Sequence, residues 1–235
     1  MGIRVATYNV RSMRDSVPAL IRVIRAIRPD VLCLQEAPRR LGWRRRREML
    51  ARRTGMTVAA GRRRGGMAVL TGPGVRVLHA ETRLLRPHLW LERRAAAIAV
   101  VEAGGLRLAV CSMHLDLEEH ARLRHAREVV ALVRDAAGRH GAAVVVAGDV
   151  NEPPGRPAFD VLTADLTDCY PCAPKGDGLT FPAARPRTRI DAIFAAPELT
   201  VLSCGVADAD PADLAAATDH LPVVAELSAP EKRSS

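Results

Sequence analysis

Apolar residues recur along this chain with two distinct periods, one typical of strands and one typical of helices. Alternation of apolar and polar residues over 3–9 predicts a strand that ends at Asn9. Apolar residues then recur at helical spacing over 20–27, behind Ser16 and Pro18, which suit a helix start. By the same criteria, further strands are predicted at 31–34, 56–60, 67–70, 75–80, 96–102, 106–113, 142–147, 189–195, 200–206 and 223–227, and further helices at 44–54 and 118–139.

The order of these elements limits the fold class. Strands are interspersed with helices, which indicates a layered α/β or α+β domain. Gly104 and Gly105 separate two of the predicted strands as a hairpin turn, so a purely parallel sheet is disfavoured. We therefore predict a sandwich built on mixed sheets. At 235 residues the chain fits one large domain.

Composition supports a folded, soluble protein and suggests its partners. Hydrophobic residues make up 48% and charged residues 26% of the chain, whereas disorder requires fewer apolar residues. The formal net charge is +9 and the pI about 10.3, which favours polyanionic partners such as nucleic acid or phospholipid headgroups. Because nearly all of this charge is arginine, compositional bias of a GC-rich genome is an equally open explanation.

The cysteines and the apolar segments bear on the compartment. Five cysteines are scattered along the chain, and an odd number argues against a disulfide framework. Cys169 and Cys172 have the C-x-x-C spacing, but no second pair or nearby histidine completes a zinc site. No apolar run approaches membrane-spanning length, and the first residues form a strand, not a signal sequence. We therefore predict a cytoplasmic protein.

Polar residues stand at or just beyond the ends of six predicted strands or segments. Strand ends in layered α/β domains are common places for a functional site. These segments supply carboxylates, amides and imidazoles, the groups needed for metal binding and acid–base chemistry. The candidate residues are Asn9, Glu36, His114, Asp149, Asn151, Asp191, Asp219 and His220.

Several of these residues also have local explanations. Glu36 follows a buried strand, so its carboxylate can face a cleft and bind Mg²⁺, although a loop carboxylate is common there. Asp149 and Asn151 would share one side of an extended segment, or serve a turn. Asp191 lies in an apolar run, where an unpaired carboxylate is costly, and a hydrogen bond to His220 would satisfy it.

The ordered motifs Thr7-Tyr-Asn9-Val, Leu34-Gln-Glu36, His114-Leu-Asp, Gly148-Asp-Val-Asn151, Arg189-Ile-Asp191 and Thr218-Asp-His220-Leu-Pro resemble those of the endonuclease/exonuclease/phosphatase superfamily. The resemblance implies a deoxyribonuclease I-like, four-layer sandwich of two mixed β-sheets flanked by helices. It implies one such domain over residues 1–228, with a polar C-terminal tail at 229–235. It also implies a hydrolase that acts on phosphate esters.

The resemblance further implies roles for individual residues. Glu36, Asn9 and Asp219 would hold Mg²⁺ (or Mn²⁺), and Asp149 would orient or deprotonate the attacking water. His114 disfavours the abasic-site branch of the superfamily, which usually has tyrosine at that position. Arg94 resembles a substrate-binding arginine near the phosphate, with an alignment uncertainty of one residue. Met67 and Met113 depart from the family's usual residues, and this affects only the inference of a substrate.

The sequence therefore predicts a magnesium-dependent phosphoesterase, most simply a nuclease that cuts nucleic-acid phosphodiester bonds by in-line attack of a water activated by Asp149 or His220. A phosphodiesterase or phosphatase acting on a phospholipid headgroup or small phosphoester is the alternative. A non-catalytic relative that only binds polyanions is a third reading, but none of the motif residues is missing. A monomer is the default expectation. The arginine runs 44–47 and 62–64 could bind a phosphate backbone or form solvated faces.

Overall fold

The computed structural model describes residues 2–230 and forms two mixed β-sheets with six helices. The strands are β1 (Ile3–Asn9), β2 (Val31–Gln35), β3 (Thr57–Ala60), β4 (Ala68–Thr71), β5 (Arg76–Leu84), β6 (Ala95–Ala103), β7 (Leu106–His114), β8 (Ala143–Asp149), β9 (Thr167–Asp168), β10 (Pro174–Lys175), β11 (Asp191–Ala195), β12 (Thr200–Val206) and β13 (Val223–Ser228). The helices are α1 (Val17–Ile27), α2 (Trp43–Arg53), α3 (Glu119–His140), α4 (Pro157–Thr163), α5 (Cys169–Cys172) and α6 (Pro211–Ala217).

The strand orders are β10-β12-β13-β1-β2-β4-β3 in one sheet and β5-β6-β7-β8-β11-β9 in the other. Each sheet contains both parallel and antiparallel pairs. In the first, β1 pairs with β2 in parallel and with β13 in antiparallel orientation. In the second, β7 and β8 are parallel, whereas β11 is antiparallel to β8. The predicted mixed sheets are therefore confirmed.

Side-chain alternation along the central strands separates two apolar layers. Along β1, Ile3 and Val5 join a core shared with Ile98 and Val145 of the opposite sheet. The intervening residues of β1 and β2 face a second core, under α1 and α2. On the outer side of the other sheet, α3 packs through buried residues such as Val129. The molecule thus has the expected four layers, helix–sheet–sheet–helix.

Local signals set the ends of the first helix as expected. The hydroxyl of Ser16 accepts a hydrogen bond from the backbone N–H of Ala19, at 3.3 Å, and this caps α1. The helix ends at Arg28 in a left-handed conformation, one residue before Pro29. The end of α1 at Arg28 thereby fixes the direction of the chain as it leads into β2.

Some expectations need correction. Residues 157–163, 169–172 and 211–217 form short helices where only loops and strands are expected, because segments of four to seven residues carry little periodicity. The predicted strand at 189–195 begins at Asp191. The domain boundary at 228 coincides with the end of β13, and residues 231–235 of the predicted tail lie outside the described residues. Across residues 2–230, no helix is long and apolar enough to cross a membrane.

Candidate active site

Strand register places three of the predicted residues in one row across the second sheet. His114 at the end of β7 lies opposite Asp149 at the end of β8, and Asp149 lies opposite Asp191 at the start of β11. Gly148 permits the close approach of β7 and β8, since a Cβ at this position would lie 1.9 Å from the carbonyl oxygen of Met113. The row therefore follows directly from strand pairing.

The first sheet contributes the amide of Asn9 and the carboxylate of Glu36. Asn9 lies opposite Gln35 in the parallel pair β1–β2, which places Glu36 one residue beyond. The side-chain amide of Asn9 donates to Glu36 Oε1 at 3.3 Å and to Asp149 Oδ2 at 3.1 Å. Asn9 thus connects the residues of the two sheets.

His220 lies in the loop between α6 and β13 and completes a cluster, which we call the active-site cluster or simply the cluster. Its members are Asn9, Glu36, His114, Asp149, Asp191 and His220. His220 Nδ1 lies 2.9 Å from Asp191 Oδ2, so the predicted hydrogen bond is present. Its Nε2 lies 3.8 Å from Asp149 Oδ2. On one side the imidazole packs against Phe181, with ring centroids 4.8 Å apart. These contacts fix the orientation of the ring.

Burial and mutual contacts shift the ionisation of this cluster. Burial, reinforced by the charge of Asp191, raises the pKa of Asp149 to about 7. Burial lowers the pKa of His220, but the charge and hydrogen bond of Asp191 outweigh it, and the net pKa rises to about 9. Burial, with the positive charges of Arg94 and His220, holds the pKa of His114 well below its usual value. His114 is therefore neutral and His220 cationic near pH 7.

The backbone is strained around the same residues. Among the described non-glycine residues, positive φ angles occur at Glu36 (47°), Asn151 (58°) and the run Arg11–Met13, with others at Arg28 and Trp90. Each such conformation costs about 1–3 kcal/mol and persists only where surrounding contacts impose it. Most of this strain lies at the cluster, which is typical of a functional site.

Asn151 lies close to the cluster, but its backbone conformation is not the expected extended one. Its left-handed backbone turns its side chain away from an extended path, and its Nδ2 donates to the carbonyl of Leu115 at 2.9 Å. Its backbone N–H donates to Asp149 Oδ1, also at 2.9 Å. The prediction that this segment is extended is wrong at Asn151, and the predicted catalytic role of Asn151 stays a prediction. Asn151 positions the carboxylate of Asp149.

Of the three predicted metal ligands, Asn9 contacts Glu36 directly, and Asp219 follows Thr218, whose hydroxyl donates to the carbonyl of Asn9. The carboxylate of Glu36 is half-buried and contacts Asn9, while Asn9 Oδ1 accepts a hydrogen bond from the backbone N–H of Arg11 at 3.1 Å. Asp219 has a cationic partner, because Arg11 Nε lies 3.3 Å from its Oδ2. Asp219 therefore has a competing contact that Glu36 lacks.

A second set of groups could also hold a cation. Asp149, Asp191 and His220 each offer one ligand atom, and all three atoms lie within 4.8 Å of one another. The hydrogen bond between His220 and Asp191 already uses two of these groups, so a hydrogen-bonded triad explains the arrangement better. Asp191 Oδ1 is nevertheless buried without a hydrogen-bond partner among residues 2–230. This excess of buried negative charge fits a divalent cation nearby.

Arg94 is buried beside the cluster. Its Nε lies 3.6 Å from Asp116 Oδ2, and its Nη1 lies 3.6 Å from Glu92 Oε2. Arg94 Nε and Asp116 Oδ2 have no hydrogen-bond partner among the described residues. The hydrogen-bonding capacity of the guanidinium is therefore incompletely satisfied within the described residues.

Sequence reasoning missed a buried ion pair that supports the site. Arg122 of α3 donates from Nε to Glu152 Oε2 at 2.7 Å and from Nη1 to the carbonyl of Asp116 at 2.9 Å. Glu152 Oε1 accepts from the backbone N–H groups of Ala158 and Phe159 at the start of α4. The pair thereby ties the loop after β7 to the loop after β8. Glu152 directly follows Asn151 in the sequence, and this position was the signal that could have revealed the ion pair.

Two facing mixed sheets with carboxylates, an amide and two histidines at their strand ends have the architecture of a phosphoester hydrolase. The family model described as "Endonuclease/Exonuclease/phosphatase family" matches residues 6–220, and the chain belongs to this family. Members of the family hydrolyse phosphoesters and generally depend on a divalent metal. The resemblance stated from the motifs is thus confirmed.

Solved structures share the fold at low sequence identity. A family member from Bacteroides vulgatus has a TM-score of 0.80 and 22% identity, over 97% of this chain and 99% of that one. The mannosyl-6-phosphatase Bt3783 of Bacteroides thetaiotaomicron has a TM-score of 0.78 and 18% identity, over 96% and 99%. ANGEL2, a 2',3'-cyclic phosphatase, has a TM-score of 0.78 and 16% identity, over 97% and 95%. Among curated proteins, none matches the sequence.

Proposed function

We propose that this protein hydrolyses nucleic-acid phosphodiester bonds by in-line attack of water, with Asp149 as the general base. The observation that carries the proposal is the row His114, Asp149 and Asp191 across three neighbouring strands, closed by His220. Asp149 as a base, His114 as a neutral imidazole and His220 as an imidazolium therefore face the same position. Such a set can deprotonate water and stabilise charge on a phosphoryl group.

Asp149 is suited to accept a proton from water. Its pKa of about 7 lies near a neutral working pH, where a general base combines availability with proton affinity. The N–H groups of Asn9 and Asn151 hold its two oxygens in place. The water oxygen then bonds to phosphorus, its proton passes to Asp149, and the ester oxygen leaves opposite with the electrons of the broken bond.

The two histidines contribute differently. His220 is cationic and is backed by Asp191, so it stabilises negative charge that develops on the phosphoryl oxygens. His114 is neutral, and its Nε2 lies 3.4 Å from Asp149 Oδ2, so it is placed beside the attacking water. Arg94 adds a positive charge on the same side.

A divalent cation fits the site on the basis of its donor set. Glu36 and Asn9 are the residues that would hold Mg²⁺ or Mn²⁺, with Asp219 joining if its contact with Arg11 is exchanged. When bound, the cation supplies Lewis-acid polarisation of the phosphoryl group. It would also offset the charge of the carboxylates gathered around Asn9.

Nucleic acid is favoured as substrate by the distribution of charge beside the site. The loop 61–66 carries three consecutive arginines and ends against Glu36, since a Cβ on Gly66 would lie 3.6 Å from the Cα of Glu36. The net charge of +9 suits a polyanion. A phosphodiester backbone presents such charges on both sides of the bond that is cut.

An activity screen with metal supplementation tests the proposal. Plasmid DNA, oligonucleotides, sphingomyelin, inositol phosphates and bis(p-nitrophenyl) phosphate would be incubated with Mg²⁺ or with excess chelator. We expect nucleic-acid cleavage that stops in chelator, and Glu36→Gln should raise the half-activating Mg²⁺ concentration at least about tenfold. Glu48→Gln, an exposed change on α2, is the matched control. Full activity in chelator, or cleavage of headgroups alone, would overturn the proposal.

A further inference from the structure

Three open cavities lie side by side between α2, the loop 61–66 and β5. The cavity nearest the active site, about 360 Å³, is lined by Arg39, Arg63, Arg64, Gly65 and Arg93. A second cavity of about 570 Å³ shares Arg63 and Arg64 with the first. The third, about 510 Å³, shares Arg63 and reaches Trp43 and Arg44. The three cavities therefore adjoin one another at these side chains, and we name them together the arginine groove.

Arginine supplies all the charged side chains that line the groove, and of these Arg39 is paired with Glu92. No aspartate or glutamate lines any of the three cavities. Within residues 2–230, Arg64 and Arg93 are exposed and form no ion pair with a carboxylate. Uncompensated guanidinium groups that share a concave surface repel one another and attract an anion. The surface is therefore suited to a ligand that carries several negative charges.

Backbone contacts fix the groove beside the catalytic cluster. Gly65 packs directly against Ala95, the neighbour of Arg94, since a Cβ on Gly65 would lie 2.3 Å from the Cβ of Ala95. The backbone N–H of Ala37, next to Glu36, donates to the carbonyl of Gly66 at 2.7 Å. A ligand bound at the cluster can thus extend into the groove without a break.

From this placement we infer that the arginine groove binds the phosphate backbone of the nucleic-acid strand on one side of the bond that is cut. The inference deepens the proposed nuclease function and rests on it for the identity of the ligand. Guanidinium groups bind phosphates through paired N–H donors, and a concave channel fits an extended strand better than a flat membrane surface. The groove therefore sets the preference for polymeric substrates over single phosphoesters.

The double variant Arg64→Gln/Arg93→Gln tests the inference, and Arg52→Gln/Arg127→Gln is its matched control. The control removes the same charge from exposed positions on α2 and α3 that line none of the three cavities. We expect the groove variant to raise KM for decathymidylate about tenfold, with little change in kcat. The salt dependence of log KM should flatten by roughly 1 to 1.5, for two lost phosphate contacts on a single strand. Kinetics on bis(p-nitrophenyl) phosphate should not change.

A binding measurement separates this inference from the proposed function. Fluorescence anisotropy of labelled decathymidylate would be recorded with Asp149→Asn, with and without the groove substitutions. Weaker binding of decathymidylate only in the groove variant supports the inference, whether or not the wild-type protein cleaves nucleic acid. Absence of cleavage would overturn the proposed substrate and leave the inference about the groove standing. Equal affinity in groove and control variants would overturn the inference. The inference would also be overturned if the groove variant lost binding to phosphatidylserine vesicles and bound decathymidylate as before.

Discussion

The active-site cluster and the arginine groove hold charged groups in different ways. In the cluster, Asp149, Asp191 and His220 are almost inaccessible, and each contacts another member. In the groove, Arg64 and Arg93 are exposed and have no carboxylate partner among the described residues. Buried, fixed charges can shift pKa values and act on a transition state, whereas exposed charges attract and hold a polyanion. Under the proposed function, turnover therefore depends on the cluster and affinity on the groove.

The largest effect is expected from Asp149→Asn. Asparagine has nearly the same shape but cannot accept the proton of water, so kcat should fall by about 10² to 10⁴ while the protein stays folded. Steady-state kinetics and thermal unfolding would measure both. A variant that lost affinity for the substrate instead of turnover would contradict the division between cluster and groove.

The pH dependence of kcat should report the cluster and not the groove. Asp149 acts when deprotonated, so the rate should fall as pH drops through about 7. His220 acts when protonated, so the rate should also fall as pH rises through about 9. His220→Ala should reduce kcat by about 10² to 10³ and abolish the alkaline limb.

Groove variants serve as the control for this profile, because Arg64 and Arg93 stay charged throughout the range. Retention of the alkaline limb in a slow His220→Ala protein would show that another group titrates there. If either limb of the pH profile shifted in the groove variant, the cluster and the groove would be coupled, and their roles would be less distinct.

A smaller effect, on stability alone, separates buried from exposed ion pairs. Glu152→Ala leaves the buried cation of Arg122 without its carboxylate, which should cost about 3–5 kcal/mol and lower Tm by about 10 °C. Glu119→Ala breaks an exposed contact with Arg156 at 3.8 Å and should cost less than about 1 kcal/mol. Thermal unfolding of both variants measures the difference, and equal shifts in Tm would refute the distinction.

The strands and the meeting of the candidate site residues could be predicted because both leave signals in the sequence. Alternation and apolar runs mark strands, and the polar residues at their ends meet because neighbouring strand ends share one edge of each sheet. The hydrogen bond between Asp191 and His220 could be anticipated because a carboxylate in an apolar strand needs a partner. The roles of these residues in catalysis and metal binding stay predictions.

Other features depend on tertiary contacts that local patterns do not encode. The sequence predicts that the run 44–47 either binds a phosphate backbone or forms a solvated face, yet Arg47 is buried and its guanidinium donates to backbone carbonyls such as that of Pro38 at 3.0 Å. Its helical spacing to the buried residues Leu50 and Ala51 was the signal that could have revealed this. The groove joins arginines from three separate segments, so only the fold brings them together.

The pairing of the first and last strands has a consequence for synthesis of the protein. β1 pairs with β13, and Asn9 meets His220 across 211 positions of the chain. A nascent chain that has not yet released residues 220–228 from the ribosome lacks both the imidazole and the strand that flanks β1. We therefore expect the cluster and the β1–β13 pair to form only after translation has passed this segment.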